Sequence, residues 1–131
     1  LELFAAGKSV VTANKQLLAR HGAELFAAAE EQIELAARRG ADLVGLPENF
    51  CFMGDDERRL ELAPSLAERA QRFLVTMARR YQVTLLGGGY PVPAGERLTS
   101  NRAELVGKDG QILATYDKIQ SMIIAKQASK K

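Results

Sequence analysis

Two short apolar runs, each preceded by a long amphipathic stretch, constrain this chain more than any other feature. The first, Ala41-Asp42-Leu43-Val44-Gly45-Leu46, stops at Pro47. The second, Val83-Thr84-Leu85-Leu86, stops at Gly87-Gly88-Gly89. Apolar runs of this length, closed by proline or glycine, read as buried strands. Pro47 also pushes Leu46 into an extended conformation, which suits a strand end. Ahead of the first run, Leu25, Ala29, Ile33 and Ala36 recur at helical spacing. Glu30, Glu31, Glu34 and Arg38 fill the other face, and Gly40 sits where a C-terminal cap belongs. Ahead of the second run, Leu66, Ala70, Phe73, Leu74, Met77 and Tyr81 make another stripe.

The remaining segments extend the alternation. Ser9-Val10-Val11-Thr12 reads as a strand, and Asn14 can cap a helix carrying Leu17, Leu18 and His21, with Gly22 as a break. Residues 48–63 read as a loop leading into a short helix. Pro64 stands near the first turn of the longer helix that follows, capped either by Ser65 with Glu68 or by Ala63. Residues 103–106 and 111–116 flank Gly107-Lys108-Asp109-Gly110, a hairpin signal. The expected fold is α/β, a βαβαβββ-type sheet with helices packed on one face. Residues 126–131 are polar and basic and are expected to fray.

Composition narrows the function classes. At 131 residues the chain suits one domain, and 47% hydrophobic with 26% charged residues argues against disorder. A net charge of +2, with both signs interleaved, does not suggest a nucleic-acid partner. One cysteine excludes an internal disulfide and a cysteine-rich zinc site, and one histidine leaves no histidine cluster. No apolar run reaches membrane-spanning length, and Leu1-Glu2-Leu3-Phe4 lacks the basic start of a signal peptide. The expectation is a cytoplasmic protein with no metal, no cofactor, and neither membrane nor nucleic acid as partner.

Few residues offer chemistry. Glu48 follows the strand that ends at Pro47, where ligands gather in open α/β sheets. Position alone reads it either as a general base or as a solvated loop carboxylate. Lys118 ends the hairpin's second strand and reads as an oxyanion-stabilising cation or as a surface lysine. Cys51, between Phe50 and Phe52, reads as packing, because an apolar setting opposes thiolate formation. Gly7-Lys8-Ser9 lacks the earlier glycine of a phosphate loop and precedes a strand instead of following one. Gly87-Gly88-Gly89 lacks the spaced third glycine of a dinucleotide fingerprint and reads as a flexible strand end.

Together, three stretches resemble the nitrilase superfamily of carbon–nitrogen hydrolases. Residues 40–50, ending Leu46-Pro47-Glu48-Asn49-Phe50, look like its glutamate motif. Leu85 to Gly89 resembles its next glycine-bounded strand. Asn101 through Gly110 to Tyr116-Asp117-Lys118 is similar to its N-x-A…DG…Y-x-K stretch. The resemblance implies the N-terminal half of an α-β-β-α sandwich and a Glu-Lys-Cys triad. Glu48 would then be the general base that deprotonates a thiol and later activates water. Lys118 would stabilise the tetrahedral intermediate as the C–N bond of a small amide or nitrile is hydrolysed. The family's nucleophilic cysteine lies in a separate motif beyond the lysine. Cys51 does not match that motif, and Gln120 stands where the family usually has histidine.

The front resembles something else. Gly7 to Ala27 is similar to a stretch of homoserine dehydrogenase, with Lys15 matching a lysine near its substrate and nicotinamide. The expected organisation is therefore a single hybrid domain over 1–131. It has a dehydrogenase-like β-α unit at 1–29, a nitrilase-like part at 30–118 and an unrelated basic tail at 119–131. The leading expectation is a hydrolase portion with base and lysine but no nucleophile, inactive alone. The alternatives are a self-associating scaffold, which an uncovered sheet face would favour as a homo-oligomer, and nicotinamide-dinucleotide binding through the front.

Overall fold

The computed structural model describes residues 22–118, and over that span the expected alternation of helix and strand is present. The elements run α1 (Gly22–Arg38), β1 (Leu43–Gly45), α2 (Asp56–Tyr81), β2 (Thr84–Gly95), β3 (Leu98–Val106) and β4 (Ile112–Lys118). The expected strand at 9–12, the helix from Asn14, Lys15 and the tail from 119 lie outside the described residues.

Sheet order follows chain order, β1-β2-β3-β4. The connection from β1 to β2 passes through α2 and makes a parallel pair, as a helical crossover requires. β2 with β3 and β3 with β4 are antiparallel, each joined by a tight turn. In the second turn Gly110 has φ +87° and its N–H donates to the Gly107 carbonyl at 2.8 Å, so the hairpin signal was sound.

Both helices cover one face of the sheet. Ile33 and Ala36 of α1 and Ala70, Leu74 and Met77 of α2 join Val44, Leu85 and Val106 in one buried cluster. A Cβ on Gly87 would strike Leu74, so Leu85 and Gly87 face the helices. Register and alternation then send Leu86, Leu105, Ala114, Ala103 and Tyr116 to the other face. There Leu86 is 42% and Tyr116 67% exposed. Every residue of the edge strand β4 is exposed. Among the described residues, no helix is long and apolar enough to cross a membrane.

Two expectations need correction. The short helix and the longer one are a single helix, α2, with Pro64 inside it. Its N-cap is Asp55, whose carboxylate accepts the Arg58 N–H at 2.9 Å, so neither Ser65 nor Ala63 caps it. An interior proline costs about 3 kcal/mol. Burying Leu66, Leu74 and Met77 offsets that cost, at about 1.5–3 kcal/mol for each large side chain. The second correction concerns Gly87-Gly88-Gly89, which lies inside β2 and does not end it. The pairing with β3 shifts register between Gly87 and Tyr90, so the glycines form a bulge and the strand continues.

Candidate active site

The loop after β1 is held on three sides. Leu46 N–H donates to the Leu86 carbonyl at 2.9 Å, and Asn49 N–H donates to the Gly89 carbonyl at 2.8 Å. Asn49 takes a left-handed conformation, φ +59°, which asparagine tolerates better than most residues. Below it Phe50 is fully buried, with Phe26, Phe73 and Tyr90 around it at ring-centroid distances of 6.3, 6.1 and 6.4 Å. The glycine bulge makes this possible. A Cβ on Gly88 would lie 1.8 Å from the Leu46 oxygen, and one on Gly89 would lie 3.2 Å from Glu48 Cγ. The triple glycine is thus a seat for the loop that carries Glu48.

Between the pinned residues, Glu48 projects outward and is exposed. Its carboxylate accepts a hydrogen bond of 2.6 Å from Asn101 Nδ2, on β3. The Asn101 Oδ1 accepts in turn from Arg59 Nη1 at 3.1 Å, and the same nitrogen donates to Asn49 Oδ1 at 3.3 Å. Arg59 comes from the first part of α2, and its guanidinium lies 5.1 Å from the centre of the Phe52 ring. Asn101 is the register partner of Lys118 on β4. Directly opposed residues of an antiparallel pair leave from the same face. Asn101 therefore stands between the two residues singled out from the sequence, bonded to one and paired with the other.

Cys51 is elsewhere in character. It is 1% exposed, and burial pushes its thiol up to about 12, against the lowering influence of Arg69. At neutral pH it is a packed thiol, in line with its expected role, and has no thiolate to offer. Beneath the site, Tyr90 donates to the buried Glu104 at 2.5 Å, and Gln71 of α2 donates to the other Glu104 oxygen at 2.8 Å. Burial, and then the bond to Glu104, raises the Tyr90 hydroxyl above its ordinary range. Among the described residues no group of three or more His, Cys, Asp or Glu gathers as a metal site.

The sequence named Asn101 only as part of a motif and Arg59 only as one charge in a loop. The partnership of these residues depends on a contact between α2 and β3 that no local spacing announces.

A family model for carbon-nitrogen hydrolases matches residues 10–128. The chain belongs to the carbon–nitrogen hydrolase family. The match runs past both ends of the stretch at 30–118 that carried the resemblance. A deaminated glutathione amidase from Synechocystis sp. (strain PCC 6803 / GT-S) is 53% identical over 93 residues, which are 70% of this chain and 34% of that protein. The chain thus spans about a third of that curated relative. Among solved structures, a carbon-nitrogen hydrolase from Helicobacter pylori G27 superposes with a TM-score of 0.72 at 20% identity, covering 85% of this chain and 38% of that one. An amidase from Nesterenkonia sp. AN1 gives a TM-score of 0.70 at 25% identity, covering 85% and 44%. That amidase has an active-site cysteine, to which acrylamide adds. The fold class expected from the sequence is the fold these hydrolases share.

Proposed function

We propose that this chain supplies the carboxylate-and-lysine portion of an amidase site, with Glu48 as general base and Lys118 as the cation for the tetrahedral intermediate. The nucleophilic thiol must come from outside these 131 residues, because the one cysteine present is buried and protonated. In that chemistry Glu48 takes the thiol proton as sulfur attacks the amide carbon. Lys118 holds the developing oxyanion, and the carboxyl returns its proton to the departing nitrogen. Glu48 then activates water to hydrolyse the thioester. The relatives' names point to a small amide as substrate, deaminated glutathione foremost. The observation that carries this reading is the Asn101 bridge, bonded to Glu48 at 2.6 Å and paired in register with Lys118. The exposed strip of Leu86 and Tyr116 further supports self-association of the chain when it stands alone.

The test is a graft. Residues 22–118 replace the matching segment of the Synechocystis amidase, whose remaining chain is kept. Hydrolysis of deaminated glutathione is expected to survive in the graft and to fall about 10²–10⁴-fold in Glu48→Gln. Lys118→Ala is expected to lose about 10²–10³-fold. The ungrafted chain should show no turnover. A Glu48→Gln graft with full activity would end the assignment.

A further inference from the structure

Glu48 is exposed, on a loop, and has long side-chain freedom, yet a general base must be aimed. Its Oε2 receives the Asn101 amide at 2.6 Å. An asparagine amide can be turned either way, so something must decide which end faces the carboxylate. Arg59 decides it. A guanidinium only donates, so Asn101 must present its oxygen to Arg59 Nη1 at 3.1 Å and its NH₂ to Glu48. The same Nη1 also holds Asn49, the neighbour of Glu48, at 3.3 Å. Arg59 is itself fixed over the ring of Phe52, which is buried.

Resting on the assignment of Glu48 as base, we infer that Arg59 and Asn101 form a positioning relay: Arg59 locks the Asn101 amide, and that amide clamps the Glu48 carboxylate opposite Lys118. Neither residue touches the reacting atoms. The relay turns a mobile surface glutamate into an oriented one, and it joins β1's loop, α2 and β3 at one point. Removing the clamp frees the glutamate without disturbing the buried cluster beneath the loop.

Asn101→Asp separates the two bonds of the relay. The aspartate keeps an acceptor for Arg59 and the side-chain shape, but it has no donor for Glu48. Three-bond couplings in the isotope-labelled chain read the Glu48 side-chain rotamer directly. The wild-type chain should give a single rotamer, and Asn101→Asp should give rotamer averaging with the backbone shifts of Asn49 and Phe50 retained. Arg59→Lys, which cannot present a planar fork, should cost the Asn101 amide protons their downfield shift. A Glu48 rotamer that is averaged in the wild type, or unchanged in Asn101→Asp, overturns the relay.

Activity in the graft separates this inference from the one beneath it. Asn101→Asp is expected to lower kcat about tenfold to a hundredfold with KM retained, as misaiming does. If Glu48→Gln abolishes activity while Asn101→Asp leaves kcat intact, the relay is wrong and the base stands. If Glu48→Gln is active, the base assignment falls and the relay has nothing to aim.

Discussion

Tyr90 and Glu104 allow a quantitative test of what fixes β2 to β3 beneath the site. Glu104 is 2% exposed and Tyr90 1% exposed, and their oxygens are 2.5 Å apart, a charge-assisted distance. Gln71 satisfies the second carboxylate oxygen from α2 at 2.8 Å. Tyr90→Phe removes one of these two donors and leaves a buried carboxylate oxygen without it. A hydrogen bond to a charged group contributes about 1.5–3 kcal/mol, and an abandoned buried acceptor costs a similar amount. The expected destabilisation is therefore about 2 kcal/mol. For a domain of this size that lowers Tm by roughly 10 °C. Glu104→Gln weakens the same bond from the other side, so the double variant should lose less than the sum of the two single losses. A coupling of about 1 kcal/mol or more, read from denaturant unfolding of all four chains, is expected. Strict additivity would mean that the 2.5 Å contact contributes nothing beyond packing, and the reasoning would be refuted.

Other outcomes follow from the same structure. Cys51, with its thiol pushed up to about 12, should resist a disulfide reagent at pH 8 and react fully once the chain is unfolded; fast labelling of the folded chain would contradict its burial. Gly88→Ala should cost more than about 3 kcal/mol or prevent folding, because its Cβ meets the Leu46 oxygen at 1.8 Å. Gly40→Ala should cost only about 1 kcal/mol, since φ is +90° but nothing lies within 4 Å; equal costs in urea unfolding would undo the seat argument. Glu30 is held below the ordinary carboxylate range, first by the Tyr81 hydroxyl and then by Arg80. A depressed folded value gives stability that is present above the unfolded value and is lost as pH falls through the folded one. Unfolding midpoints should therefore drop below about pH 4, and less steeply in Glu30→Gln; an identical pH profile would contradict this. Sedimentation of the isolated chain should give a mass above the monomer, reduced by Leu86→Lys with Tyr116→Lys, and a monomer at high concentration would remove the self-association proposal.

The parts legible in the sequence were those fixed by local chemistry. The helical stripe from Leu25 to Ala36, the strand stopped by Pro47 and the turn at Gly107–Gly110 all rest on residues close together in the chain. Pro64 misled for a physical reason. It was read as a helix start, yet burial of Leu66, Leu74 and Met77 on the sheet holds a helix together through an interior proline. The glycine triplet misled for another. Its purpose is the space it leaves for the Leu46 carbonyl and Glu48, and that need is visible only once β1's loop lies on β2.

The site has the same division. Glu48 and Lys118 could be picked out because one follows a strand end and both sit in recognisable motifs, but their relation to each other depends on register. Had β3 and β4 slipped by a single residue, Lys118 would leave from the opposite face to Asn101. The register is set by the tight turn at Gly107–Gly110 and by the irregularity between Leu105 and Val106, where an extra residue is absorbed. The Arg102–Asp117 pair, at 2.7 and 2.9 Å, bridges the pairing one step from the site and resists such a slip. Residues with no chemistry of their own thus determine whether the lysine and the glutamate can serve one substrate. A variant that deletes Leu113 should remove the extra residue, shift β4 against β3 and separate Lys118 from Asn101 while leaving both helices in place.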